Sequence, residues 1–198
     1  MDFSKFKTAY FSMEIGIRND MPTYAGGLGI LAGDILRSCA DLNLPMIGVT
    51  LLYKEGYLKQ KINENGEQEE RPQEWNPSEI LRKLDIKASL KIEGRTVNVG
   101  AWLLEIKGKK RTNPIIFLDT DLEENSDFDR NITKRLYLGD HNYRLAQEIV
   151  LGIGGMRIIK ELKCSPDKYH MNEGHTSFLV LEICKECITG DKLEELRK

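Results

Sequence analysis

A chain of 198 residues with 40% hydrophobic content can bury a sizeable core in one domain, two at most. Its 29 basic and 31 acidic residues leave a formal charge of -2, which excludes a global electrostatic pull toward nucleic acid or an anionic membrane. Apolar runs such as residues 46–52 fall far short of the ~20 residues of a membrane span, residues 1–9 lack the apolar stretch of a secretory leader, and a cytoplasmic setting is expected.

Residues 8–13 (TAYFSM) are apolar and aromatic with no helical stripe, so they predict a buried strand. After a loop carrying Asn19, Asp20 and Pro22, the positions Leu28, Leu31, Ala32, Ile35, Cys39 and Leu42 recur at spacings of three and four and predict an amphipathic helix. Asn43 and Pro45 close it. Residues 46–53 (MIGVTLLY) are continuous enough for a strand buried on both faces, and strand, helix, strand is the unit of a parallel sheet.

Residues 63–78 are polar and turn-rich and predict an exposed excursion, with Trp75 as its anchor. A hairpin is expected over residues 86–92 and 96–99 around Glu93, Gly94 and Arg95, followed by a core strand at residues 114–118. Asp119 and Asp121 stand at the end of that strand, where open α/β sheets bind ligands, which makes them weak site candidates; a structural turn is the expected role. Residues 134–163 read as mainly helical, with Ile149, Ile153, Met156 and Ile159 on one side. Gly152, Gly154 and Gly155 interrupt it, which implies a closely packed neighbouring backbone. A short strand at residues 168–171 and a helix at residues 174–188, bearing Phe178, Leu181, Cys184 and Ile188, complete one α/β domain.

The four cysteines, Cys39, Cys164, Cys184 and Cys187, lie in or beside apolar elements and are expected as reduced thiols. A single CxxC without a second pair does not make a four-cysteine zinc site. His170 and His175 are five apart, whereas the HExxH motif needs four, so no metal site is expected.

Two clusters carry chemistry. In YAGGLGILAGD, Gly26, Gly27 and Gly29 precede a helix, and glycine there permits close backbone approach to a ligand, with helix amides aimed at an anion. Residues 27–32 fit GxGxxA, yet about a dozen residues separate the first strand from Gly26, where the dinucleotide fingerprint requires a tight turn; Glu55, at the ribose position of that pattern, is correspondingly weak. In HMNEGHTSF, Asn172, Glu173 and His175 offer the mixed donors and acceptors that recognise sugar hydroxyls, or equally a helix cap.

AYFSMEIG, PTYAGGLGILAGD, GVTLLYKEGYLKQKI, RLYLGDHNYRLAQEIVLGIGG and HMNEGH, in this order, resemble the α-glucan phosphorylases over residues 8–62 and 134–182. The resemblance implies a Rossmann-like N-terminal domain of a two-domain, GT-B type glycosyltransferase with hairpin and loop insertions. It implies phosphorolysis of α-1,4-glucan ends by inorganic phosphate to glucose 1-phosphate. Gly26, Gly27 and Leu28 match the family's glycine loop at phosphate and sugar, with Gly27 also against the cofactor; Glu14 matches an acidic residue near the site. Asn172, Glu173 and His175 match a polar junction lining the sugar pocket. Pyridoxal 5'-phosphate is held in the family by a lysine of a C-terminal domain that no segment here resembles. Residues 1–198 are therefore expected to be an incomplete N-terminal domain, inactive alone, with no complete catalytic set and an exposed edge that favours self-association. A sugar-nucleotide transferase of glycogen synthase type and a non-catalytic glucan-binding module are the alternatives.

Overall fold

In the computed structural model, which describes residues 1–57, 59–71, 73, 75–137 and 139–189, a short 3-10 turn (Phe3–Lys5) precedes β1 (Thr8–Ser12), from which a long connection leads to α1 (Gly27–Asp41). β2 (Met46–Leu51) returns parallel to β1, from Thr8↔Met46 to Phe11↔Val49. Fourteen residues lie between β1 and α1, so the glycines do not form the tight turn of a dinucleotide site. The polar excursion contains a small exposed hairpin, β3 (Lys59–Ile62) and β4 (Gln68–Arg71). Trp75 tethers it as expected, its Nε1 donating to the Tyr53 carbonyl at 2.6 Å. Pro72 and Glu74 of this excursion, and Leu138 of the predicted second helix, lie outside the described residues.

β5 (Arg82–Ile92), β6 (Arg95–Lys107) and β7 (Thr112–Asp119) form an antiparallel meander, and β7 pairs parallel with β2. Ile92 pairs with Arg95, so the hairpin turn is the two residues Glu93 and Gly94, with φ of 48° and 80°. Positive φ at both central residues is what the right-handed strand twist demands. Beyond a single turn, α2 (Asp127–Arg130), come α3 (His141–Ile149), a π-helical segment (Val150–Gly154) and α4 (Gly155–Glu161). β8 (Lys168–Asn172) then pairs parallel with β1, and α5 (Phe178–Thr189) follows. The sheet order is β5-β6-β7-β2-β1-β8. A mixed α/β architecture around a mostly parallel sheet is thus observed.

Successive residues of the central strands serve opposite cores, because side chains alternate across a strand. Ala9, Phe11, Val49 and Leu118 face Val150, Leu151, Ile158 and Ile159, while Tyr10, Ile115 and Phe117 face Ala32, Leu36 and Ala40 of α1. No helix among the described residues is long and apolar enough to cross a membrane.

Three expectations need correction. α1 buries Gly29, Ala32, Gly33, Leu36, Cys39 and Ala40, whereas Leu31 and Leu42 of the predicted stripe are 53% and 64% exposed. The helix is rotated because Gly33 must meet the chain leaving β1: a Cβ there would fall 1.9 Å from the Gly16 carbonyl oxygen. In the second helical region the helix starts only at His141. Its deepest positions, Ala146, Val150, Gly154, Ile158 and Gln147, Leu151, Gly155, Ile159, run in steps of four. Such steps drift about 40° each on an α-helix, and the wider π turn absorbs the drift. In α5, Leu179 is buried while Leu181 and Ile188 are exposed, because the helix start is pressed onto Gly152, where a Cβ would lie 2.5 Å from the Leu179 nitrogen. That last contact is the close backbone neighbour the glycines implied.

Candidate functional site

The chain runs from β1 outward to β2 and β7 on one side, and returns to place β8 on the other side of β1. The carboxyl ends of β1 and β8 therefore flank the point where the sheet order reverses, the position at which open α/β sheets leave a crevice for ligands. Glu14 follows β1 there, and Asn172, Glu173 and His175 follow β8.

On the β1 side the exit is folded tightly against α1. Ile15 N–H donates to the Thr23 carbonyl at 3.1 Å and Gly16 N–H to the Gly29 carbonyl at 2.8 Å. Glu14 is 2% exposed, and its Oε2 accepts the Ala25 N–H at 2.5 Å, fixing the segment just before the glycines. Gly29 lies against it: a Cβ there would stand 2.4 Å from Tyr24 Cβ and 3.3 Å from Glu14 Cδ. Gly26 and Gly27 behave differently. Both are exposed, and a Cβ on either meets nothing within 4 Å. The α1 N-terminus has no side-chain cap and no acidic residue in its first turn, with Leu28 half-buried behind it. Its free amides and positive dipole end thus face open space, which is the chemistry of an anion site.

On the β8 side Asn172 is buried and bridges the two strand ends. Its Nδ2 donates to Ser12 Oγ at 3.1 Å, and Ser12 Oγ donates to the Glu14 carbonyl at 2.7 Å. Glu173 is exposed with φ 68° and ψ 174°, a region that is nearly glycine-only and that clusters at ligand sites. His175 meets Arg144 of α3, Nε2 to Nη2, at 2.7 Å. The Tyr137 ring covers the Arg144 guanidinium at 4.5 Å and stands 6.2 Å from the imidazole. Burial, with the nearby Glu14 carboxylate, pushes the Tyr137 phenol up, and burial beside the Arg144 charge pushes His175 down. Glu14 therefore belongs to both halves. Next to them, Tyr137, Gly139, Asp140, His141 and Arg144 line a cleft of about 260 Å³.

Tyr137 and Arg144 were not singled out by spacing; the signal available was the run RLYLGDHNYR, aromatic and basic residues around the helix-capping Asp140. Other sequence candidates serve structure. Asp119 accepts from Trp102 Nε1 and from the Asp121 N–H, both at 2.9 Å, the turn role foreseen for it. Asp121 is held between Lys54 and Arg130. Glu55 pairs with Lys134 at 3.1 Å and with Arg135. All four cysteines are free thiols.

The chain is similar to known proteins along much of its length. The family model described as carbohydrate phosphorylase matches residues 15–110. The glycogen phosphorylase of Mycobacterium tuberculosis is 38% identical over 94% of this chain and 23% of its own length. The maltodextrin phosphorylase of Thermococcus litoralis is 42% identical over 85% of this chain and 21% of its own length. The glycogen phosphorylase of Aquifex aeolicus is 37% identical over 100% of this chain and 30% of its own length. The chain thus spans less than a third of each of these relatives.

Proposed function

Because this chain belongs to the carbohydrate phosphorylase family, we propose that it forms the N-terminal wall of the catalytic cleft of a cytoplasmic α-1,4-glucan phosphorylase. Residues 1–198 are in this reading part of a Rossmann-like domain of GT-B type, facing a second domain that carries the lysine for pyridoxal 5'-phosphate. A phosphate oxygen bonds to C1 of the terminal glucose, the glycosidic C1–O bond breaks, and a proton lost by the phosphate passes to the departing glucan oxygen. Glucose 1-phosphate leaves with retention.

The observation that carries the reading is the open, uncapped start of α1 at the switch point of the sheet. Gly26, Gly27 and Leu28 present main-chain N–H groups to the phosphate and the sugar bound beside it. Glu14 holds that loop in register, and Asn172, Glu173 and His175 line the sugar side. The space a Gly27 side chain would fill is empty of protein, so Gly27 also fits against a phosphate-bearing cofactor. Pyridoxal 5'-phosphate supplies, when bound, a phosphate monoester with a second pKa of about 6, able to give or take a proton. This chain's part is to accommodate the anion through backbone amides.

Titration of the labelled chain with inorganic phosphate tests this. Amide resonances of Gly26, Gly27 and Leu28 are expected to move, and a Gly27→Val variant is expected to lose the response. Movement with ADP-glucose but none with phosphate would replace the reading by a sugar-nucleotide transferase.

A further inference from the structure

We propose that Arg144 is a positioning residue that locks His175 as the neutral tautomer protonated on Nδ1, so that the β8 junction offers a sugar hydroxyl a hydrogen-bond donor, not an acid, a base or a cation. The sugar part rests on the phosphorylase reading; the tautomer does not.

A guanidinium has five N–H donors and no acceptor. Arg144 Nη2 lies 2.7 Å from His175 Nε2, so the contact is a hydrogen bond only while Nε2 keeps its lone pair. The proton of the neutral ring must then sit on Nδ1. An imidazolium would set N–H against N–H and two positive charges side by side. Arg144 is kept in place by the Tyr137 ring over its Cζ and by Glu148, one helical turn along α3, whose Oε1 is 3.6 Å from Nε. The charged groups facing the imidazole are Arg144 and Glu148 from α3, Glu173 from its own junction, and Glu14 from beyond β1; burial and the Arg144 charge together outweigh the carboxylates, and the ring is driven toward neutrality.

His175 Nδ1 is buried and has no hydrogen-bond partner among the described residues. Buried polar atoms in native proteins are nearly always paired, and an exception calls for a missing partner. A locked Nδ1–H needs an acceptor, and in the phosphorylase reading, where α1 serves the anion, a sugar hydroxyl is the neutral one, reaching Nδ1 once the groups that cover it shift aside. The strained Glu173 backbone beside it marks the same junction.

Long-range proton–nitrogen correlation spectra of the labelled chain report tautomer and charge for each histidine. His175 is expected to show a protonated Nδ1, a bare Nε2 and a titration midpoint below the ordinary value of about 6.5. In Arg144→Met its midpoint should rise toward the ordinary value of about 6.5 with both tautomers present, and Arg144→Lys, again a donor without an acceptor, should restore the lock. A wild-type His175 that titrates near 6.5, or that carries its proton on Nε2, overturns the proposal, and this spectrum decides even if the Met variant fails to fold. Addition of maltoheptaose should shift the Nδ1–H signal; a locked ring with no shift overturns the assignment to sugar. Failure of the phosphorylase reading would show elsewhere, as an absent phosphate response at Gly26 and Gly27.

Discussion

Glycines near the start of α1 look alike in sequence and do different work. Gly33 and Gly29 are packing glycines, Gly33 because the helix backbone touches the Gly16 carbonyl, Gly29 because Tyr24 and Glu14 press on it. A Cβ on Gly26 or Gly27 would meet nothing within 4 Å. Gly33→Ala is therefore expected to lose about 1–3 kcal/mol or more in urea denaturation, since the obstructing atom is backbone and cannot swing aside. Gly27→Ala should leave stability unchanged or raise it by up to about 1 kcal/mol, by limiting the unfolded chain, while weakening the phosphate response. Equal losses at both positions would contradict the division. Glycine spacing alone singles out this loop in the sequence, since only backbone need be read there. The Tyr137–Arg144–His175 cluster was not legible, because Arg144 and His175 meet across 31 residues only through the packing of α3 on the β8 junction.

At the level of elements, strands were more legible than helix faces. A strand buried on both sides, such as β2, is marked by continuous apolar sequence whatever it pairs with. A helix face is chosen by the closest contact, and in α1, the π segment and α5 that contact is made by glycine, which hydrophobic spacing ignores. α5 illustrates what then secures the element. Arg157 of α4 donates to Glu182 through Nε at 2.7 Å and Nη2 at 3.1 Å, and through Nη1 to the Ser89 carbonyl of β5 at 2.6 Å. Burial by itself would raise the Glu182 carboxyl, but the hydrogen bonds and charge of Arg157 outweigh it and hold the group below its ordinary 4.5. The unfolded chain then binds more protons than the native one below about pH 4.5, so the stabilisation is complete above that pH and disappears as pH falls through the native value. Arg157→Met should cost roughly 3 kcal/mol at pH 7, because a carboxylate only 9% exposed loses its partner. The deficit should narrow at pH 4, when the orphaned carboxyl takes up a proton; urea denaturation at the two values measures both. A deficit independent of pH would assign the effect to packing alone.

Over the whole molecule, four parallel strands, β7-β2-β1-β8, end on one rim, and Glu14 and residues 172–175 follow from it. The rim is preformed by its own polar contacts: Asn172 to Ser12, Tyr53 Oη to the Met13 carbonyl at 2.8 Å, Glu55 to Lys134 and Arg135. The same contacts limit what this wall can do. An anionic phosphate held against the reacting sugar needs cations, and the basic side chains named on this rim are engaged: Arg144 with His175 and Glu148, Lys54 and Arg130 with Asp121, Lys134 and Arg135 with Glu55. Backbone amides at α1 remain, and a helix N-terminus contributes only on the order of 1 kcal/mol toward an exposed anion. Phosphate should therefore bind the isolated chain weakly, in the millimolar range or above, and the bound ion should meet no group able to neutralise it as the glycosidic bond breaks. Incubation of the purified chain with maltodextrin and phosphate is expected to release no glucose 1-phosphate in a coupled assay, while the resonances of Gly26 and Gly27 still move. Clear phosphate-dependent release would mean that the electrostatic stabilisation of the transition state resides in this wall after all, and would require one of the ion pairs along the rim to open toward the ligand.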